Sequence, residues 1–342
     1  MFVMMNIRTL SLLLCFSFAF QLKAQDPHFT QFYNNPLYTN PAYAGSAINA
    51  KDNEFATRIG LAYRNQWEGT YQTVNVNWDR QFNKLHGGLG GFIINDVEGS
   101  GLVSTTNVGM MYAPIFQISS KLTIKGGLQL AYVNKRLDFS KLFIVDSTGG
   151  FALQPLSPLP QQTVSFLNAG AGLIAYMKNI HFGFAVHNIT EPNQSFYQSA
   201  EGILPRRYTL HAGGEINILK NQSFASSVTP YALYMTQQNF NQLNISVPVN
   251  IGRVVVGPGF RQTFGQYGNA DAIIGIAGYR APRFHITYSY DRTISSARRV
   301  LIGSHEITMN YFISLKKNIP DLELISPSYT NSPGQGKRNK LK

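Results

Sequence analysis

The chain has 342 residues, of which only 13% are charged, with 18 Tyr, 23 Phe, 30 Gly and a formal net charge of +12. Roughly 25% charged residues is usual for a soluble protein, so this composition argues against an ordinary soluble helical enzyme, and its near-neutral mean hydropathy excludes a bundle of membrane-spanning helices. The positive charge is spread along the chain and builds no single basic–aromatic patch, which speaks against a nucleic-acid partner.

Residues 1–24 read as a secretory signal peptide. Arg8 supplies a positive flank, residues 10–20 an apolar run, and Ala24 a small residue before Gln25. The single cysteine, Cys15, lies inside that run, after Leu12, Leu13 and Leu14 rather than the small residues a lipidation site needs. The mature chain is therefore expected to lack disulfides and thiolate chemistry. No later stretch reaches the roughly 18 continuous apolar residues of a spanning helix, so an exported chain that enters a membrane must cross it as a closed barrel.

Residues 25–54 are irregular, with Pro27, Pro36 and Pro41 interrupting any ladder and aromatic residues recurring at Phe29, Phe32, Tyr33, Tyr38 and Tyr43. So much ring surface calls for a packing partner, and the barrel's periplasmic mouth is the expected one. From 55 to 315 the chain alternates. Ile59, Leu61 and Tyr63 oppose Arg58, Gly60 and Arg64; Val74, Val76 and Trp78 oppose Asn75, Asn77 and Asp79. Further runs follow at 86–95, 106–116, 121–134, 163–177, 180–186, 207–218, 224–235, 242–249, 253–261 and 271–279. The last two are the clearest. Phe284, Ile286, Tyr288 and Tyr290 oppose His285, Thr287, Ser289 and Asp291, and Ile307, Met309, Tyr311 and Ile313 oppose Glu306, Thr308 and Asn310. A period of two is a strand, and about ten residues suffice to cross a bilayer core at a tilt of roughly 45°. The expected fold is an all-β, antiparallel, up-and-down transmembrane barrel of about fourteen strands, with long connections at 65–72, 96–105, 135–162, 187–206, 262–270 and 293–304 alternating with tight turns. Residues 316–342 read as a polar, basic, disordered tail on the side of the tight turns.

Enzymatic motifs do not survive inspection. His305-Glu306 opens an H-E-x-x-H string, but its fifth position is Met309 and the run alternates as a strand, where a zinc pair needs a helix. Gly87, Gly88, Gly90 and Gly91 lack the Lys-Ser or Lys-Thr of a phosphate loop, and they read as bends or close packing. Seven scattered His define no metal site, and no cofactor is expected. A hydrolase assembled in space from Ser, His and Asn stays open, as do a small-solute pore and a soluble all-β surface protein. The charges Arg58, Arg64, Asp79, Glu215, Arg253, Arg261, Asp271, Asp291 and Glu306 are expected to face the lumen, pairing across strands or lining water.

Four strings then stand out together: QDPHFTQFYNNPLYTNPAYAGS after the signal peptide, YRNQW at 63–67, YSYD at 288–291 and GSHEI at 303–307. In this order and spacing they resemble the PorP/SprF family of the type IX secretion and gliding machinery of Bacteroidetes, over nearly the whole mature chain. The resemblance implies an outer-membrane barrel without catalytic residues, surrounded by lipid, tied to export of particular adhesin-like surface proteins and to a periplasmic complex. It nominates Asp26, Pro27, Phe29, Tyr33, Asn35, Pro36, Asn40, Pro41, Tyr43 and Gly45 as a docking segment. The strings together with the lumen charges Arg58 and Asp79 read from the alternation give the barrel and lumen positions Arg58, Tyr63, Arg64, Trp67, Asp79, Tyr288, Tyr290, Asp291, Gly303, His305 and Glu306.

Overall fold

A computed structural model describes residues 26–49, 54–141, 162–177, 179–197, 202–219, 226–265, 268–295 and 303–314. The signal peptide, the tail after 315 and most of the 135–162 connection lie outside the described residues. Fourteen antiparallel strands form the wall: β1 (Glu54–Gln66), β2 (Tyr71–Phe82), β3 (Gly87–Glu98), β4 (Val103–Ser119), β5 (Leu122–Leu137), β6 (Thr163–Met177), β7 (Ile180–His187), β8 (Arg207–Gly214 and Ile216–Leu219), β9 (Ser226–Val228 and Tyr231–Gln237), β10 (Phe240–Ser246 and Val249–Ile251), β11 (Val254–Phe264), β12 (Asn269–Arg280), β13 (Phe284–Thr293) and β14 (Ser304–Ser314). Each pairs with its neighbours, and β14 returns to β1 from Ser304↔Gln66 to Ser314↔Ala56, which closes the cylinder. Closure satisfies every edge, the condition for a sheet to stand in hydrocarbon.

The wall is inside out relative to a water-soluble protein. Ile59, Leu61, Val76, Trp78, Leu128, Leu130, Leu173, Phe182 and Leu210 are exposed outward, whereas Asn75, Asn77, Asp79, Lys125, Thr209, His211, Ser289 and Thr308 are buried inward. A soluble monomer rarely shows an apolar patch of more than a few hundred Å²; here the apolar band runs around the barrel. That observation removes the soluble all-β alternative.

Two expectations change. The connections at 65–72, 96–105 and 262–270 are not long: β1 ends at Gln66 and β2 starts at Tyr71, β3 ends at Glu98 and β4 starts at Val103, and β11 ends at Phe264 with β12 starting at Asn269. β4 has 17 residues and β5 has 16, while about 9–11 cross a bilayer core. The strands continue past the lipid, where outward positions need not be apolar, so the alternation fades while pairing persists, as at Thr73↔Asp96 and Gln72↔Val97. Arg253, in turn, is exposed in the turn before β11 and bonds the Tyr279 hydroxyl at 3.3 Å; it does not face the lumen. The breaks in β8, β9 and β10 fall at Glu215, Pro230 and Pro248, level with Pro258 of β11. Proline cannot donate to the ladder, and the gap is bridged by Thr229 N–H to Pro248 O and Val247 N–H to Pro258 O, both 2.9 Å.

Leu130 is 59% exposed on the outer face of β5. Leu130→Arg is expected to cost about 2–4 kcal/mol if the site lies near the bilayer midplane. Urea titration of folding into vesicles, followed by the heat-modifiable gel shift, measures it; a cost below about 0.5 kcal/mol contradicts a lipid-facing position.

Candidate functional site: a plugged lumen

Residues 26–49 do not rest at the mouth. They run through the lumen from the end where the 188–206 connection joins β7 to β8 (the loop end) to the end of tight turns, where Ile48–Asn49 pairs with the start of β1. None of residues 26–47 is exposed. The expected location at the periplasmic mouth is thus corrected: the side chains of this segment are inside the barrel. The reason is chemical. A segment with this many rings and two Asn-Pro turns covers its main-chain groups through turns, and its rings fill a lumen too wide for the wall's own side chains.

The local fold comes from a repeat, NPLYT then NPAYA. Pro36 opens the helical turn Pro36–Thr39 and Pro41 opens the 3-10 turn Pro41–Tyr43. Proline is well placed at the first position of a turn, where its missing N–H has no intrahelical partner to lose. Asn40 caps the second turn, accepting the Ala42 N–H at 2.9 Å. Its amide nitrogen also donates 3.1 Å bonds to the carbonyls of Leu173 on β6 and Phe184 on β7.

A trough of small residues receives this backbone. A Cβ on Gly127 of β5 would stand 2.2 Å from the Ala42 nitrogen, one on Gly172 of β6 2.0 Å from Asn40 Oδ1, and one on Gly88 of β3 2.0 Å from the Ala44 oxygen. No larger residue fits. Leu37, fully buried, completes an apolar cluster with Phe92, Ile94, Met111, Ala113 and Ala131. On the far wall Tyr33 stacks on Tyr231 of β9 at 4.6 Å.

Charged latches hold each half. Toward the loop end the Glu306 carboxylate accepts the N–H groups of Thr30 (2.7 Å) and Gln31 (3.0 Å) and pairs with Arg64 at 3.1 Å. Asp291 pairs with Arg64 at 3.0 Å and Arg261 at 2.9 Å, and accepts the Thr30 hydroxyl at 2.6 Å. The Gln31 side chain donates to Ser289 Oγ and receives the Thr308 hydroxyl at 2.6 Å. Two guanidinium and two carboxylate groups thus balance in a buried site. Toward the turn end Asp79 pairs with Arg58 at 2.7 Å and accepts the Gly45 N–H at 2.8 Å, while Lys125 donates to Ala44 O at 2.7 Å and Ser46 Oγ at 2.8 Å. Gly45 has φ +68, the left-handed region, and lies against Gly88; both facts require glycine.

The nominated residues sort clearly. Arg64, Asp291 and Glu306 come together with Thr30 and Gln31; Arg58 and Asp79 form the second latch with Gly45. Asp26 bonds Asn188 at 2.9 Å and Arg207 at 3.3 Å, the Pro27 carbonyl accepts the Tyr38 hydroxyl, and Phe29 packs edge-on against Tyr38 at 5.1 Å. Asn35, Pro36 and Pro41 are buried, and Tyr43 stacks on His211 at 5.2 Å. Tyr63 points outward, as do Tyr288 and His305, whose hydroxyl and Nδ1 lie 2.7 Å apart, with Tyr290 5.0 Å from the His305 ring. Trp67 donates its main-chain N–H to Gly303 O at 3.1 Å across the seam. Because His305 faces out and Glu306 in, the two share no site. Among the described residues no group of three His, Cys, Asp or Glu converges for a metal. Thr30, Gln31, Lys125, Arg207 and the trough glycines 127 and 172 were not among the nominated site residues, although parity puts Lys125 and Arg207 on the polar faces of their strands; the repeated Asn-Pro turn was the signal that could have pointed to a packed plug.

Removing one partner of a buried pair costs about 3–5 kcal/mol. In planar bilayers the wild-type protein is expected to be silent, whereas Glu306→Ala and Gly127→Val admit ion current through a barrel that still shows its heat-modifiable gel shift. Deletion of 26–45 should give the largest current. Silence in all three contradicts the plug.

The four strings that carry the resemblance meet at this place: Thr30 and Gln31 from the first, Arg64 from the second, Asp291 from the third, Glu306 from the fourth. The model of the type IX secretion system membrane protein family PorP/SprF matches residues 21–311. No curated protein matches the chain. Solved structures similar to it include the outer-membrane protein Omp33 of Acinetobacter baumannii, 7% identical over 76% of this chain and 99% of that one with a TM-score of 0.46. Others are the CymD monoaromatic hydrocarbon channel, 10% identical over 82% and 93% with a TM-score of 0.47, and the KdgM porin, 8% identical over 74% and 98% with a TM-score of 0.35. The barrel stands in the outer membrane, and its family and fold point to a membrane component rather than an enzyme. The chain belongs to the PorP/SprF family of type IX secretion system membrane proteins.

Proposed function

We propose that this protein is a plugged scaffold of the type IX secretion and gliding system, which supports export or surface attachment of a specific adhesin-like protein and docks a periplasmic complex. The observation that carries it is the lumen filled by residues 26–47 and latched by Glu306 and Asp79. A diffusion porin needs a continuous water path, and the trough glycines instead lie against the plug, Gly88 and Gly127 against its main chain and Gly172 against the Asn40 amide.

Two surfaces then remain for partners. By the usual asymmetry of outer-membrane barrels the longer connections face outward. The connections 138–162 and 188–206 meet the exported protein in this reading. The tight turns and residues 316–342 face the periplasm and offer docking there, a role that the buried 26–45 segment cannot fill directly. The signal peptide 1–24 delivers the chain to the envelope.

Exchange of 138–162 and 188–206 for those of a paralogue should redirect which adhesin reaches the cell surface, read by surface proteolysis, and unchanged cargo contradicts the role of these connections. Removal of 316–342 should reduce recovery of the periplasmic complex with the tagged barrel about tenfold or more, an interaction loss on the order of 1.4 kcal/mol; full recovery counts against docking through the tail.

A further inference from the structure

At the loop end, apart from both latches, a cavity of about 920 Å³ counting its mouth lies between β3–β6, the outer end of the plug and the 188–206 connection.

Its wall is polarised. Asp96 and Glu98 stand on β3, Lys135 on β5 and Arg207 at the start of β8. Asp96 pairs with Thr105 and Thr105 with Lys135, so the first acid and first base stand two strand spacings apart, about 10 Å. Between the poles the amides of Asn107, Gln129 and Asn168 alternate with the apolar Ile94, Met111 and Phe166. Arg207 is 4% exposed. One of its terminal nitrogens donates to the Tyr38 hydroxyl at 2.7 Å and reaches Asp26 at 3.3 Å, but its buried Nε has no hydrogen-bond partner. An unpaired buried N–H is costly, and the Nε edge of a guanidinium is built to take a carboxylate through two parallel bonds.

We propose that this vestibule binds a carboxylate-bearing peptide segment, the carboxylate on the Nε edge of Arg207 and the peptide groups on the wall amides. Amide side chains offer a donor and an acceptor each, which matches a peptide main chain; the buried Asn107 Oδ1, which has no hydrogen-bond partner, would stay unpaired against an alkyl chain. Asp26 already holds the same guanidinium from its Nη1 side, so a second carboxylate on the Nε edge meets the repulsion of Asp26 across one shared positive charge. The proposal deepens the scaffold reading and rests on it, since an exported polypeptide is the peptide that reaches this end.

The test uses the full protein in nanodiscs and a fluorescein-labelled Leu-Asn-Leu-Asn-Leu peptide, with a free carboxylate or an amidated end, followed by fluorescence anisotropy. The free acid is expected to bind saturably. Amidation of the peptide, which leaves the protein untouched, should weaken binding at least about tenfold. Arg207→Lys, which keeps the charge but removes the Nε edge, should act in the same direction. Asp26→Asn should tighten binding several-fold, and excess laurate should not displace the peptide. Equal binding of acid and amide, absence of saturable binding, or displacement by laurate overturns the proposal. Lumen conductance of the same preparation reads the scaffold separately: a silent lumen with no peptide binding removes the vestibule site alone.

Discussion

The Glu306 carboxylate receives two consecutive main-chain N–H groups, those of Thr30 and Gln31, while the Arg64 guanidinium holds it from the side. This contact anchors the outer half of the plug to the wall. Irregular backbone at membrane depth is tolerated only where protein or water satisfies its polar groups. Here the wall does so with a charge-assisted pair, roughly twice as strong as a neutral hydrogen bond. The carboxylate is itself tolerable only because Arg64 and Arg261 balance Glu306 and Asp291. Taking away either sign leaves a buried charge, so the wall and the plug depend on each other.

The remainder of the interior follows from shape. A fourteen-stranded cylinder is too wide for inward side chains to meet, so a separate piece of chain must fill it or water will. Gly88, Gly127 and Gly172 lower one side of the wall by a Cβ each, and the plug's turns settle where those atoms would have been. Tyr33 and Phe32 reach the opposite wall at Tyr231. These glycines cost a strand order and packing, and in return Gly88 and Gly127 admit the plug's backbone and Gly172 the Asn40 amide.

The strands were legible because lipid imposes a rule on each second residue. On β14 Ile307, Met309, Tyr311 and Ile313 could be assigned outward from the pattern alone, and the lumen charges Arg58, Arg64, Asp79, Asp291 and Glu306 inward from the same parity. Where the strands leave the lipid the rule lapses, and 65–72 and 96–105 read as loops although their pairing continues. The plug obeys no period. Its rings announced that it packs against something, but its partners lie 276 residues away for Thr30 and Glu306 and 144 for Asn40 and Phe184. Nothing local encodes which carbonyl an asparagine will meet. Arg207 could be placed on the polar face of its strand by the same parity, opposite Tyr208 and Leu210, but its role depends on a cavity made by β3 to β6.

The latch also joins the two ends of the wall. Arg64 belongs to β1 and Glu306 to β14, the strands whose pairing closes the cylinder, and Asp291 lies on β13 beside them. Thr30 and Gln31 bind across that seam, so the segment that blocks the lumen also ties together the first and last strands. Glu306 arrives with the final strand. Until β14 takes its place the Thr30 and Gln31 N–H groups have no carboxylate and Arg64 lacks half its charge balance. A barrel still open at β14 is therefore a barrel whose plug is not yet latched, and closure of the wall and closure of the lumen are completed by the same residue.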